Sequence, residues 1–152
     1  MVSSPSSHSE SSLTIRRTFP ARRERVFRAW TNPAALRQWS CPEGFTLTAA
    51  EVDLRVGGAF RLAMQPAGGD APSVAYGTYR EVTPPARLVY TWRWEGNEMP
   101  ETLVTVEFRD LGGETEVVLL HERFRTPDLR DQHNGGWSSI LDKLARALPT
   151  LP

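Results

Sequence analysis

The sequence predicts an α+β domain: a curved antiparallel sheet of about six to seven strands wrapped around one long C-terminal helix, with two short helices after the first strand. Three observations lead there. The stretches LVYTWRW (88–94), LVTVEF (103–108) and EVVLLHERF (116–124) alternate or run apolar at strand length. LRDQHNGGWSSILDKLARAL (129–148) instead repeats its large apolar residues at steps of three and four, the period of a helix with one buried face. Glycine and proline clusters separate the strand-like stretches at hairpin spacing.

The elements follow in order. Residues 1–12 are rich in serine and lack the apolar core of a signal peptide, so they read as a disordered tail ahead of a single domain over 13–149. Leu13–Phe19 is a first strand with Leu13, Ile15 and Arg17 on one face. Ala21–Trp30 is a helix burying Val26, Phe27 and Trp30. Asn32 then caps a short helix Pro33–Trp39, whose proline sits in the first turn, where its missing N–H costs nothing. Thr46–Val56 and Ala59–Met64 are strands joined by Gly57 and Gly58 as a tight hairpin. Val74–Val82, Leu88–Trp94, Leu103–Arg109 and Thr115–Phe124 complete the sheet. Thr126 caps the last helix, with Pro127 in its first turn and Asp128 complementing its dipole.

Composition narrows the function. A chain of 152 residues suits one core, and 18 basic against 18 acidic residues give no net charge. Bulk attraction to nucleic acid or an anionic membrane is not expected. No apolar run reaches the roughly 20 residues of a membrane span. Cys41 is the single cysteine, so no intrachain disulfide forms, and a reducing cytoplasm is the expected location. Two inward histidines and one distant cysteine match no zinc spacing, and no Walker A loop, GxGxxG turn or GxSxG elbow is present. No metal and no cofactor are expected.

EVDLRVGG (51–58), YGTYREVTPPARLVYTW (76–92), TEVVLLHERF (115–124) and GGWSSILDKL (135–144), together with the opening 17–39, resemble the START-like (SRPBCC) helix-grip superfamily. Within it they are most similar to the activator of Hsp ATPase homologue-like branch, over residues 13–148. The resemblance implies a sheet gripping the C-terminal helix around a cavity that in related proteins takes up a lipid, a polyketide or another apolar molecule. Full activators of the chaperone carry a further domain not found in these residues, so the branch name alone does not transfer that activity.

Strand alternation selects the side chains expected to face such a cavity. They are Phe60, Leu62 and Met64; Tyr90, Trp92 and Trp94 beside Leu88; Val104, Val106 and Phe108; and Val117, Leu119 and His121. Tyr76 and Tyr79 lie on opposite faces of their strand, and Tyr76 is kept as a candidate. The long helix contributes His133, Trp137, Ile140 and Leu141, followed by Leu144 and Leu148; Trp39 and Phe45 join the aromatic set. These aromatics serve either as packing or as the wall of a ligand site. His121 and His133 are the weak catalytic candidates, as hydrogen-bond donors or acid–base groups, against the plainer role of histidines satisfied by neighbours. Gly135 and Gly136 either thin the helix where a ligand or strand approaches, mark a hinge, or are tolerated near its start. Glu98 and Glu101 are placed at the cavity mouth. Asp53 and Arg55 read as an ion pair.

Three functions follow in rank: binding of a small hydrophobic molecule, aromatic or lipid-like; a chaperone-cofactor-like protein partner; and a cyclase- or aromatase-type enzyme using His121 or His133. A homodimer through an exposed surface is compatible with the sequence and not specified by it.

Overall fold

A computed structural model describes residues 6–152, and in it a strand near the start of the chain pairs with the last strand. Strand β2 (Ser12–Phe19) pairs antiparallel with β8 (Thr115–Glu122). Between them in sequence lie helices α1 (Arg23–Thr31) and α2 (Pro33–Trp39), then β3 (Phe45–Val52), β4 (Ala59–Pro66), β5 (Ser73–Thr83), β6 (Arg87–Trp94) and β7 (Thr102–Asp110). With β1 (Ser6–Ser9) the sheet order is β1-β2-β8-β7-β6-β5-β4-β3, antiparallel throughout. Helix α3 (Pro127–Ala147) lies in the curl of this sheet and ends in a short 3-10 turn, Leu148–Thr150. The expected α+β grip is therefore present.

The inner face is the one alternation selected. Leu88, Tyr90 and Trp92, Val104, Val106 and Phe108, Val117, Leu119 and His121, and Phe60, Leu62 and Met64 are all buried. From α3 they meet Trp137, Ile140, Leu141 and Leu144. Arg17 follows Leu13 and Ile15 onto that side and reaches Asp142 of α3 at 2.8 Å. Asn32 caps α2 as expected, its Oδ1 accepting from the Ala34 N–H at 2.9 Å. Thr126 Oγ1 caps α3 by accepting from the Leu129 N–H.

Three expectations need correction. Ser6–Ser9 is not a disordered tail but strand β1, turning back onto β2 through Glu10 and Ser11; residues 1–5 lie outside the described part. A serine-rich edge strand shows no apolar alternation because its ladder needs only backbone groups and not a buried face. Secondly, β3 ends at Val52 rather than Val56, and 53–58 is a loop. Gly57 takes a positive φ of 84°, and a Cβ on Gly58 would lie 2.0 Å from the Asp53 carbonyl oxygen. The two glycines thus close a longer loop than a two-residue hairpin. Thirdly, Tyr76 faces outward while Tyr79 is buried in the core, on the same inner side as Ala75. Between them Gly77 lets β6 close in: a Cβ there would sit 1.9 Å from the Thr91 carbonyl oxygen.

Candidate functional site

The space between sheet and helix is almost filled. Beneath Phe60, Leu62, Tyr79, Tyr90, Trp92 and Trp137 only about 20 Å³ remains, room for roughly one water. Val104, Val106, Phe108, Val117, Leu119 and Leu141 are at most 1% exposed and belong to the closed core. Trp39 is core too, its indole N–H donating to the Ala29 carbonyl at 3.0 Å, and Phe45 packs on the rim of that core. These residues, expected to line a cavity, build its scaffold instead, because strand alternation tells inside from outside but not filled from empty.

The usable space lies at one end. A cleft of about 440 Å³ opens between the N-terminal half of α3, the β4–β5 loop and the turn after β6. Of the expected site residues, Met64, Trp92, Trp94, His133, Trp137 and Ile140 line it. Gly136, one of the two glycines expected to thin the helix beside a ligand or strand, lines it too, and Leu129, Met99, Val74, Pro42 and Pro72 do so without having been foreseen. Two of these had a signal. Leu129 extends the helical stripe four residues before His133, and Met99 is the one large apolar residue in the loop EGNEMPE. The turn and loop residues had none, since periodicity does not place them.

Both histidines are locked. The Trp137 indole N–H, which can only donate, points at His121 Nδ1 from 3.0 Å. That nitrogen is therefore bare, and Nε2 carries the hydrogen toward Thr102 Oγ1, 2.7 Å away. Thr102 in turn donates to the Trp92 carbonyl at 3.3 Å. His133 is the mirror case: its Nδ1 donates to the Leu129 carbonyl at 2.7 Å, and its Nε2 accepts from the Trp94 indole at 3.0 Å. Burial pushes His121 well below the ordinary histidine value of 6.5, and the neighbouring His133 pushes it further the same way. Burial also lowers His133, against the opposing pull of the Leu129 carbonyl. The rings stand edge to face, 5.3 Å apart, with Phe124 against both. All four ring nitrogens are engaged, so neither histidine has one free to attack or to move a proton.

Three indoles border the cleft, and they differ. Those of Trp94 and Trp137 are hydrogen-bonded, whereas the buried Trp92 N–H has no partner among the described residues. The rest of the lining is apolar or neutral, apart from Glu95, which Arg61 grips through two bonds of 2.9 and 3.2 Å and holds below the usual carboxylate range. No lysine or arginine is among the described residues that line it. Glu101, expected at the mouth, instead pairs with Arg93 and Arg80 on the outer sheet face. Tyr76 lines a separate groove of about 650 Å³ on that outer face. Glu98 is exposed in the loop, and Asp53 and Arg55 form a surface pair at 2.9 Å. No group of three or more metal-ligating side chains occurs among the described residues. Nor is any helix there long and apolar enough to cross a membrane.

The profile of the family described as "Activator of Hsp90 ATPase homolog 1-like protein" matches residues 20–149. The chain belongs to this family. Its structural neighbours share the START-like fold. A protein from Chromobacterium violaceum is 29% identical with a TM-score of 0.83, the match covering 91% of this chain and 96% of that one. An AHSA1 protein from Silicibacter pomeroyi is 27% identical, also at 0.83, covering 91% and 98%. A structure titled an HSP90 activator from Plasmodium falciparum is 28% identical with a TM-score of 0.71, covering 93% and 98%. No curated protein matches the sequence.

The locked histidines make stability depend on pH in a definite direction. The folded state holds His121 neutral below its ordinary value, so below about pH 6.5 the unfolded chain binds the extra proton and folding weakens. The stabilisation is complete above that pH and declines as pH falls, by up to about 1.4 kcal/mol per unit for each histidine. Urea unfolding between about pH 7 and pH 5 should show that decline. His121→Gln should lower stability at neutral pH and flatten the slope; a wild-type profile that stays level or rises on acidification contradicts the assignment.

Proposed function

We propose that this protein binds a small apolar, aromatic molecule in the cleft beside the N-terminal half of α3. The carrying observation is the cleft itself: its volume lies within the roughly 300–1,000 Å³ of small-molecule sites, and three tryptophans with Met64, Met99, Leu129 and Ile140 line it. Proteins of this fold commonly bind hydrophobic ligands or act as Hsp90 co-chaperones. The geometry gives less support to a cyclase or aromatase, since the nitrogens of His121 and His133 are all committed to neighbours.

A second reading rests on the Plasmodium falciparum relative, whose title names it an HSP90 activator. Under it this chain would stimulate the ATPase of a ninety-kilodalton heat-shock chaperone. Measured turnover of that chaperone with increasing amounts of this protein should rise and saturate; an unchanged rate at high excess removes the reading.

The helix glycines provide the sharper test of ligand binding. Nothing lies within 4 Å of a Cβ built on Gly135 or Gly136, so no strand approaches and both sites accept a side chain. Gly136 borders the cleft and Gly135 does not. Leucine at either position should stabilise the helix by up to about 1 kcal/mol. Titration of the wild type with a naphthalene derivative should quench tryptophan fluorescence to saturation. Gly136→Leu should weaken that binding at least about tenfold, or 1.4 kcal/mol, while Gly135→Leu leaves it unchanged. Equal affinities in both variants would place the ligand elsewhere, and no saturable quenching by any polycyclic probe would end the proposal.

A further inference from the structure

Resting on the apolar-ligand reading above, we propose that the ligand of the cleft is an uncharged aromatic molecule carrying a hydrogen-bond acceptor, such as an aryl ketone, and that Trp92 Nε1 is the donor that recognises it.

The argument begins with the three indoles. Trp94 spends its N–H on His133 and Trp137 spends its own on His121. Trp92 is 4% exposed, and its Nε1 has no partner among the described residues. A buried donor left unpaired costs free energy that an arriving acceptor recovers. Trp92 is also the right ring by position. Together with Trp137 it borders both the outer cleft and the small inner void, so these two rings stand between the spaces. Trp137 is tethered by its hydrogen bond to His121, whereas no polar bond holds the Trp92 ring. Phe60, Tyr90, Trp94, His121 and Trp137 pack around the Trp92 ring, and its N–H is the one indole donor at the cleft left uncommitted among the described residues.

Charge narrows the class. The lining holds no lysine or arginine among the described residues, and both histidines are kept neutral, so a carboxylate entering the cleft finds no cation. Its desolvation would go uncompensated. Glu95 already has Arg61 as partner. A neutral carbonyl is the acceptor that suits these walls: it takes one hydrogen bond and brings no charge.

The test compares three probes of one shape on the full chain: 2-acetylnaphthalene, 2-ethylnaphthalene and 2-naphthoate, each titrated by tryptophan fluorescence. The acetyl compound should bind about tenfold more tightly than the ethyl one and more tightly than the naphthoate. In Trp92→Phe the acetyl and ethyl compounds should bind alike. Should that variant not fold, the wild type still decides through its indole N–H resonances in a 15N correlation spectrum. One such resonance, that of Trp92, should move downfield with 2-acetylnaphthalene and not with 2-ethylnaphthalene. If the ethyl compound or the naphthoate binds as well as the ketone, or if the preference persists in Trp92→Phe, the acceptor assignment is overturned while the apolar cleft stands. If none of the three binds saturably, both fall.

Discussion

The hydrogen bond from Trp137 to His121 is the constraint on which the site depends. It joins the gripped helix to the floor of the sheet, and the chain continues through Thr102 to the Trp92 carbonyl. A typical bond of this kind adds only about 0.5–1.5 kcal/mol net, whereas stranding a buried partner costs about 1–3 kcal/mol. The asymmetry matters here, because removing either ring leaves the other unpaired in the core. The bond also fixes one of the two indoles that border both the inner void and the outer cleft.

Along α3 the grip is graded. Toward the C-terminal end Leu141 and Leu144 are fully buried, Arg25 donates to the Leu148 carbonyl at 2.9 Å, and Lys143 meets the Cys41 sulfur at 3.3 Å. Ser139 Oγ accepts from the Glu43 backbone N–H at 2.9 Å, tying α3 to the loop after α2. The exposed Arg17–Asp142 pair adds little, since such pairs contribute about 0–1 kcal/mol; burial does most of the holding. Toward the N-terminal half, Gly135 and Gly136 present no side chains and His133 is half-buried against Trp94. Where side chains run out, the cleft begins.

Much of the architecture was legible in the sequence. Alternation in Leu88–Trp92, Val104–Phe108 and Val117–His121 named the inner face correctly, and the helical stripe from Trp137 to Leu148 named its partner. Proline and threonine fixed the start of α3. What periodicity could not supply was the degree of filling: Tyr90, Phe108 and Leu119 point inward and leave no room. Nor could it show β1, whose serines pair through the backbone, or the loop after Val52, where Gly57 takes a positive φ and Gly58 a close backbone approach. The histidines were visible as inward polar groups, but their partners are two tryptophan N–H groups far away in the chain. The sequence therefore favoured simple satisfaction over catalysis without naming the partners, which the distances supply.

The central claim is that a guest occupies the end cleft and not the space beneath the sheet. Intermolecular nuclear Overhauser effects between bound 2-acetylnaphthalene and assigned methyl groups test it directly. The account predicts contacts to Met64, Met99, Leu129 and Ile140, the apolar walls of the cleft. Contacts to Val104, Val117 or Leu119 instead, deep in the closed core, would contradict it.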